Sequence, residues 1–122
     1  MPKRKKKSRA DAPENSGARS KKLYSAYLAE DLRSELRIWP KPDRARVGKL
    51  IRSVQENFGQ PHLHSGAGIR DLSPKGSLLR VYECRIGRGL RLLFTLESPS
   101  LLYFHTIGNH DEVRRFLRSF LR

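Results

Sequence analysis

Acidic residues and cysteine are what this sequence has little of. Twelve Asp and Glu stand against 26 Lys and Arg, leaving a net charge of +14. Such a surplus suits a polyanionic partner better than a membrane or an acidic small molecule. The lone cysteine, Cys84, excludes an internal disulfide and fits a reducing cytoplasm. No apolar run approaches the roughly 18 residues that span a bilayer, and the N-terminus has no signal-peptide h-region, so neither membrane insertion nor secretion is expected. With 122 residues, 37% of them hydrophobic, the chain has room for at most one small domain.

The positive charge is concentrated. Residues 1–22 hold nine Lys or Arg against Asp11 and Glu14, half of the net charge, together with Pro2, Pro13, Ser16 and Gly17 but almost nothing to bury. This composition predicts a disordered basic arm. Its KRKKKSR run reads as a phosphate-gripping arm, a nuclear localisation signal or a solvated tail. The globular domain is expected over 23–122.

Within that domain Leu28, Leu32 and Leu36 recur every four residues before Trp39 and the breaker Pro40, which predicts a helix ending near Ile38. LYSAYL (23–28) is a candidate short strand. Pro42 and Asp43 open a second helix whose Val47, Leu50, Ile51, Val54 and Phe58 form an apolar stripe, stopped by Gly59 and Pro61. The period then changes. A Gly-rich loop leads to a short strand at 69–72, and residues 78–86, 90–97 and 101–107 alternate as strands of an antiparallel meander. In GNHDEVRRFLRSFLR, Asn109 caps a last helix and Glu112 completes a capping box, with Val113, Phe116, Leu117, Phe120 and Leu121 as its stripe.

The expected class is therefore α+β: a small antiparallel sheet with two N-terminal helices packed on one face and a C-terminal helix, its other face open to solvent. Strand parity sends Tyr82, Cys84, Ile86, Leu90, Leu92, Phe94 and Leu96 toward the helices. Glu83, Arg85, Arg91 and Thr95 then share the solvent side. Leu102 and Phe104 are the core pair of the last strand, leaving Tyr103 and His105 on the other face, with His110 following at the strand-to-helix turn.

The two helices, the YxxRIGxGxRLLF-like strand segment and the closing GNHDEVRRFL resemble the RelE/ParE toxin superfamily over about residues 45–122. The RelE/YafQ-like branch of that superfamily consists of mRNA interferases. The resemblance implies a RelE-like fold and a toxin of a type II toxin-antitoxin system, an endoribonuclease that cleaves mRNA on the ribosome, with a cognate antitoxin protein as partner and no cofactor. RelE places two lysines at alternate strand positions, an arginine in the next strand, and an arginine and a tyrosine near the C-terminus. Here those places are held by Glu83 and Arg85, by Arg91, and by His110 and Arg114. The Gly108-Asn109-His110 corner is similar to that of YafQ-like members, where a histidine is catalytic. The alternatives are a ParE-like toxin that binds DNA gyrase, and a non-catalytic basic module of the same fold that binds RNA or protein.

Ribonucleolytic transfer needs a base for the ribose 2′-proton, cations for the charge growing on phosphorus and an acid for the leaving 5′-oxygen. Glu83 or His105 is the candidate base, Arg85 and Arg91 the clamp, and His110 the acid, since imidazole can give and take a proton near neutrality. Planar guanidinium forks suit phosphate oxygens. His64, Arg88, Tyr103, His105 and Arg114 are candidate substrate-binding residues. The plainer reading of Glu83, Arg85 and Arg91 is a solvated cross-strand salt bridge. Cys84, on the core parity, is expected to be an inert buried thiol. His62 and His64 lack the companions of a zinc site, so no metal is expected.

Overall fold

The computed structural model describes residues 24–58, 68–87 and 89–121. The basic arm, His62, His64 and Arg88 lie outside the described residues. The elements in chain order are β1 (Ser25–Leu28), α1 (Glu30–Arg37), α2 (Lys41–Asn57), β2 (Ile69–Asp71), β3 (Val81–Ile86), β4 (Leu90–Ser98), β5 (Leu101–Gly108) and α3 (His110–Phe120).

The leucine period expected to make one helix is split between two elements. Leu28 belongs to β1, and extended backbone at Ala29 (φ −59°, ψ 149°) turns the chain before α1 starts. Glu30 and Asp31 in the first turn of α1 and Arg37 in the last oppose the helix dipole favourably. Leu32 is buried and Leu36 partly so. Pro40 then caps α2, with Pro42 in its first turn, where a missing N–H costs nothing. The stripe Val47, Leu50, Ile51, Val54 and Phe58 meets the sheet as expected. Phe58 anchors the end of α2 there, edge-on to Tyr82 at 4.9 Å and to Phe94 at 5.9 Å.

The sheet order is β1-β5-β4-β3-β2. β2 to β5 pair antiparallel, and β1 adds a parallel edge to β5, so the sheet is mixed rather than purely antiparallel. β3 starts at Val81, three residues after the alternation begins, and Leu78 is 98% exposed. The preceding residues form a loop instead, in which Ser77 Oγ accepts from the Leu79 N–H and Ser73 Oγ accepts from the Val81 N–H.

One core lies between the sheet and α1 and α2, and it holds Ile69, Cys84, Ile86, Leu92, Phe94, Leu102 and Phe104. The expected parity of β3 and β4 is thus observed. The expectation of an open second face is not. Val81 and Leu93 on that face pack with Val113 and Leu117 of α3, and Leu79, Phe116 and Phe120 close around them. Thr95 and Glu83, assigned to solvent by alternation, are both buried. The physical reason is the sequence of α3: its stripe must bury apolar area worth about 1.5–3 kcal/mol per large side chain, and the other face is already taken by α1 and α2. Leu121, counted in that stripe, stays partly exposed.

Candidate functional site

Glu83 sits in the middle of β3, opposite Leu93 on β4 and Arg70 on β2. Its side chain is 1% exposed, and its Oε2 accepts from an Arg91 Nη1–H at 3.1 Å. Arg70 Nη1 lies 3.7 Å from the same oxygen. Oε1 is buried with no hydrogen-bond partner among the described residues. Arg85 and Arg91 are direct cross-strand partners, and like charges so placed repel. One inward carboxylate thus meets the guanidinium groups of Arg70 and Arg91, and Arg85 adds a third cation beside Arg91 on the neighbouring strand. The site keeps a positive excess that an outside anion relieves. Arg91 is 21% exposed and Arg70 59%, so both reach solvent beyond Glu83. A cavity of about 280 Å³ is lined by Gly68, Ile69, Arg70, Glu83 and Arg85.

α3 begins beside this cluster. Gly108, the last residue of β5, pairs with Arg91, and His110 is the first residue of α3 two positions later. Asn109 accepts from the Glu112 N–H and Glu112 accepts from the Asn109 N–H, both at 2.8 Å, the capping box read from the sequence. This cap locks the corner that presents His110, which is exposed. Arg114 follows one turn later, partly buried, its Nε without a hydrogen-bond partner among the described residues.

Of the candidates, Glu83 pairs with Arg91, Arg85 is the cross-strand partner of Arg91, and His110 starts α3 two residues after the Arg91 partner Gly108, with Arg114 one turn further on. Glu83 is the correction among them: alternation put it in water, but α3 and the flanking arginines enclose it. Tyr103 and His105 lie elsewhere. They line a second cavity, with Asp31, Glu97 and Phe116, that shares no residue with the first. His105 is the extra residue of a register slip, since Phe104 pairs with Phe94 and Thr106 with Leu93. Burial lowers the His105 pKa, partly offset by the Glu97 carboxylate. His64 and Arg88 fall outside the described residues. Arg70 escaped the sequence reading. Its position on a three-residue edge strand left too short an alternation to show its face, although the GIRDL segment places a cation beside a strand start.

Cys84 is buried, and desolvation, with a smaller contribution from the Glu83 charge, pushes its thiol up to about 12. It is no nucleophile. Among the described residues no His, Cys, Asp and Glu group could hold a metal ion, and no helix is long and apolar enough to cross a membrane.

A five-stranded mixed sheet with α1 and α2 on one face and α3 on the other is a RelE-like fold. No protein-family model matches the chain, and no curated protein matches its sequence. Among solved structures, the chain is similar to the archaeal RelE-RelB complex of Pyrococcus horikoshii at a TM-score of 0.57 and 15% identity, covering 71% of this chain and 94% of that one. The RelBE2 toxin-antitoxin complex of Mycobacterium tuberculosis aligns at 0.53 with 13% identity over 72% of this chain and 99% of that one. YafQ of E. coli aligns at 0.52 with 15% identity over 74% and 97%.

Proposed function

We propose that this protein is the toxin of a toxin-antitoxin pair and acts as a metal-independent endoribonuclease on mRNA, in the cytoplasm and on the ribosome. The observation that carries the reading is the convergence of Arg70 and Arg91 on the buried Glu83 carboxylate, with Arg85 paired across the strands to Arg91 and His110 two residues beyond the Arg91 partner Gly108, in a RelE-like fold. In this reading Arg85 and Arg91 grip the scissile phosphate and bear the charge that grows on it. Arg70 extends the grip along the strand. His110 protonates the leaving 5′-oxygen as the P–O5′ bond breaks, while the 2′-oxygen bonds to phosphorus and its proton passes to solvent water. Glu83 holds the Arg91 fork in place and is a positioning residue, because a carboxylate enclosed by arginines does not meet a ribose hydroxyl. Since guanidinium groups carry the developing charge, the scheme asks for no metal.

An antitoxin partner is supported by the neighbours: the Pyrococcus structure is a RelE-RelB complex and the Mycobacterium structure a toxin-antitoxin complex. An antitoxin for this chain would present acidic and apolar residues to the Arg85, Arg91 and His110 corner or displace α3.

The test is induced expression with and without the Arg91→Ala and His110→Ala changes, together with cleavage of ribosome-bound mRNA by the purified proteins. Each variant should lower cleavage by about 10²-fold or more. Arg91→Ala should also weaken binding of 2′-O-methylated RNA, whereas His110→Ala should leave it nearly unchanged, separating a clamp from a proton donor. Arg91→Lys should recover only part of the activity. Absence of cleavage with or without ribosomes, with both variants as toxic as the parent, refutes the nuclease reading. The gyrase-binding and passive-module readings then take its place.

A further inference from the structure

The cavity on the other flank of α3 plays no part in the reading above. It measures about 440 Å³, within the size range of small-ligand sites. Its walls are unlike the rest of this basic protein. Asp31 from the first turn of α1 and Glu97 from the end of β4 contribute carboxylates, and neither has an ion-pair partner among the described residues. Tyr103, His105 and Phe116 supply an aromatic wall, and Ala29 and Thr106 complete the lining. Tyr103 and His105 lie 4.6 Å apart between ring centroids, and His105 lies 4.9 Å from Phe120 and 6.0 Å from Phe116.

The imidazole in this wall adds no positive charge. Thr95 Oγ1 donates to Glu97 Oε2, so its oxygen accepts from His105 Nε2–H, 2.9 Å away. That tautomer leaves Nδ1 unprotonated, an acceptor. Burial, which lowers the His105 pKa, keeps the ring in this form near neutral pH. The slip in β5 creates the wall: Tyr103, His105 and Thr106 all turn to one face because His105 is the extra residue.

Carboxylates disfavour an anion here, and an apolar ligand would make no use of them. A cation over aromatic rings within about 6 Å, beside carboxylates, satisfies both walls at once. The adjoining edge already holds one such contact. Arg33 Cζ stands 5.7 Å from the Tyr27 ring centroid, and Tyr27 packs on Tyr103 at 5.0 Å.

We infer that the cavity between α3 and the β1-β5 edge binds a guanidinium or alkylammonium group, as carried by arginine or lysine. The group's charge lies between Asp31 and Glu97, and its face or methylenes lie on Tyr103 and His105. Two sources offer this chemistry: a basic side chain of another molecule, and the nine Lys and Arg that precede Tyr24 in this chain.

The experiment follows the Tyr103, His105 and Thr106 resonances of the full chain during titration with N-acetyl-arginine amide. N-acetyl-citrulline amide serves as the neutral isostere. Saturable shifts confined to these residues are expected, with citrulline at least about tenfold weaker. The Asp31→Asn/Glu97→Gln double variant should lose at least as much, while its Leu93 and Phe94 resonances stay in place and report an intact sheet. Replacing all nine, Lys3, Arg4, Lys5, Lys6, Lys7, Arg9, Arg19, Lys21 and Lys22, by Gln in the full chain separates the sources. If the chain's own segment fills the cavity, the His105 resonances move and the added amide binds several-fold tighter. If both are unchanged, the natural ligand comes from outside. The inference is overturned if neither the parent nor the glutamine variant shows saturable binding, if citrulline binds equally well, or if the double variant retains binding. Cleavage by the Arg91 corner enters none of these readouts.

Discussion

At Glu83 a carboxylate is buried with one oxygen held by Arg91 and approached by Arg70, and the other without a partner among the described residues. Removing one member of a buried ion pair leaves the other charge uncompensated, at about 3–5 kcal/mol when both are enclosed. Arg91 and Arg70 reach water, so the loss here is smaller. Glu83→Ala is expected to destabilise the protein by about 2 kcal/mol in urea unfolding, with Glu83→Gln closer to the parent. An unchanged midpoint for Glu83→Ala would mean that the pair contributes nothing. Cys84 offers a second check. A thiol raised to about 12 and buried is almost wholly protonated at pH 8, so alkylation should proceed only at the rate of unfolding.

His105 gives a pH dependence with a defined sign. Its folded pKa lies below the ordinary 6.5 because burial disfavours the imidazolium. In the window between the folded value and about 6.5, the unfolded chain binds more protons than the folded one, so stability falls as pH drops. The loss begins near pH 6.5 and levels off once the folded ring also protonates. His105→Gln should flatten the unfolding free energy between pH 7.5 and 5 relative to the parent. An equally steep profile in the variant would assign the acid loss to other groups.

On the scale of elements, α3 depends on its first turn. Asn109 and Glu112 exchange two hydrogen bonds that satisfy otherwise unpaired N–H groups. Asn109→Ala is expected to cost about 1 kcal/mol. Gly108→Ala should cost at least as much for a different reason. A Cβ there would come within 2.7 Å of Glu112 Oε1 and 3.0 Å of Glu112 Cβ. The capping side chain would have to leave its place, and the second distance involves an atom that cannot swing away. Thermal unfolding of both variants measures this. If α3 is anchored by Val113 and Leu117 alone, both will melt with the parent. The capping box was legible in the sequence because it is a four-residue pattern with local chemistry. The face on which α3 packs was not, since its amphipathic stripe fits either side of a sheet equally well.

At the scale of the whole molecule, charge and architecture separate. Half of the net positive charge lies before Leu23, outside the described domain. If the arm grips RNA phosphates, neutralising it should lower the slope of log affinity against log salt by about 0.7 for each phosphate released on single strands. An unchanged slope would identify the arm as a solvated tail. Within the domain, alternation alone determined β4 and β5, the existence though not the start of β3, the core parity of Cys84, Leu92 and Phe94, and the shared face of Arg85 and Arg91, because a period of two needs only neighbouring residues. It left open which face of the sheet is wet. Leu93 and Val81 sit at polar-parity positions, and only the docking of α3 over them shows that both faces are covered and that Glu83 is enclosed. The β5 slip at His105 and the joining of β2 to β3, which brings Arg70 to Glu83, likewise depend on pairing between distant segments. Local spacing specifies helices, caps and strand faces. Burial is decided by what packs on each face, and that is a property of the assembled fold.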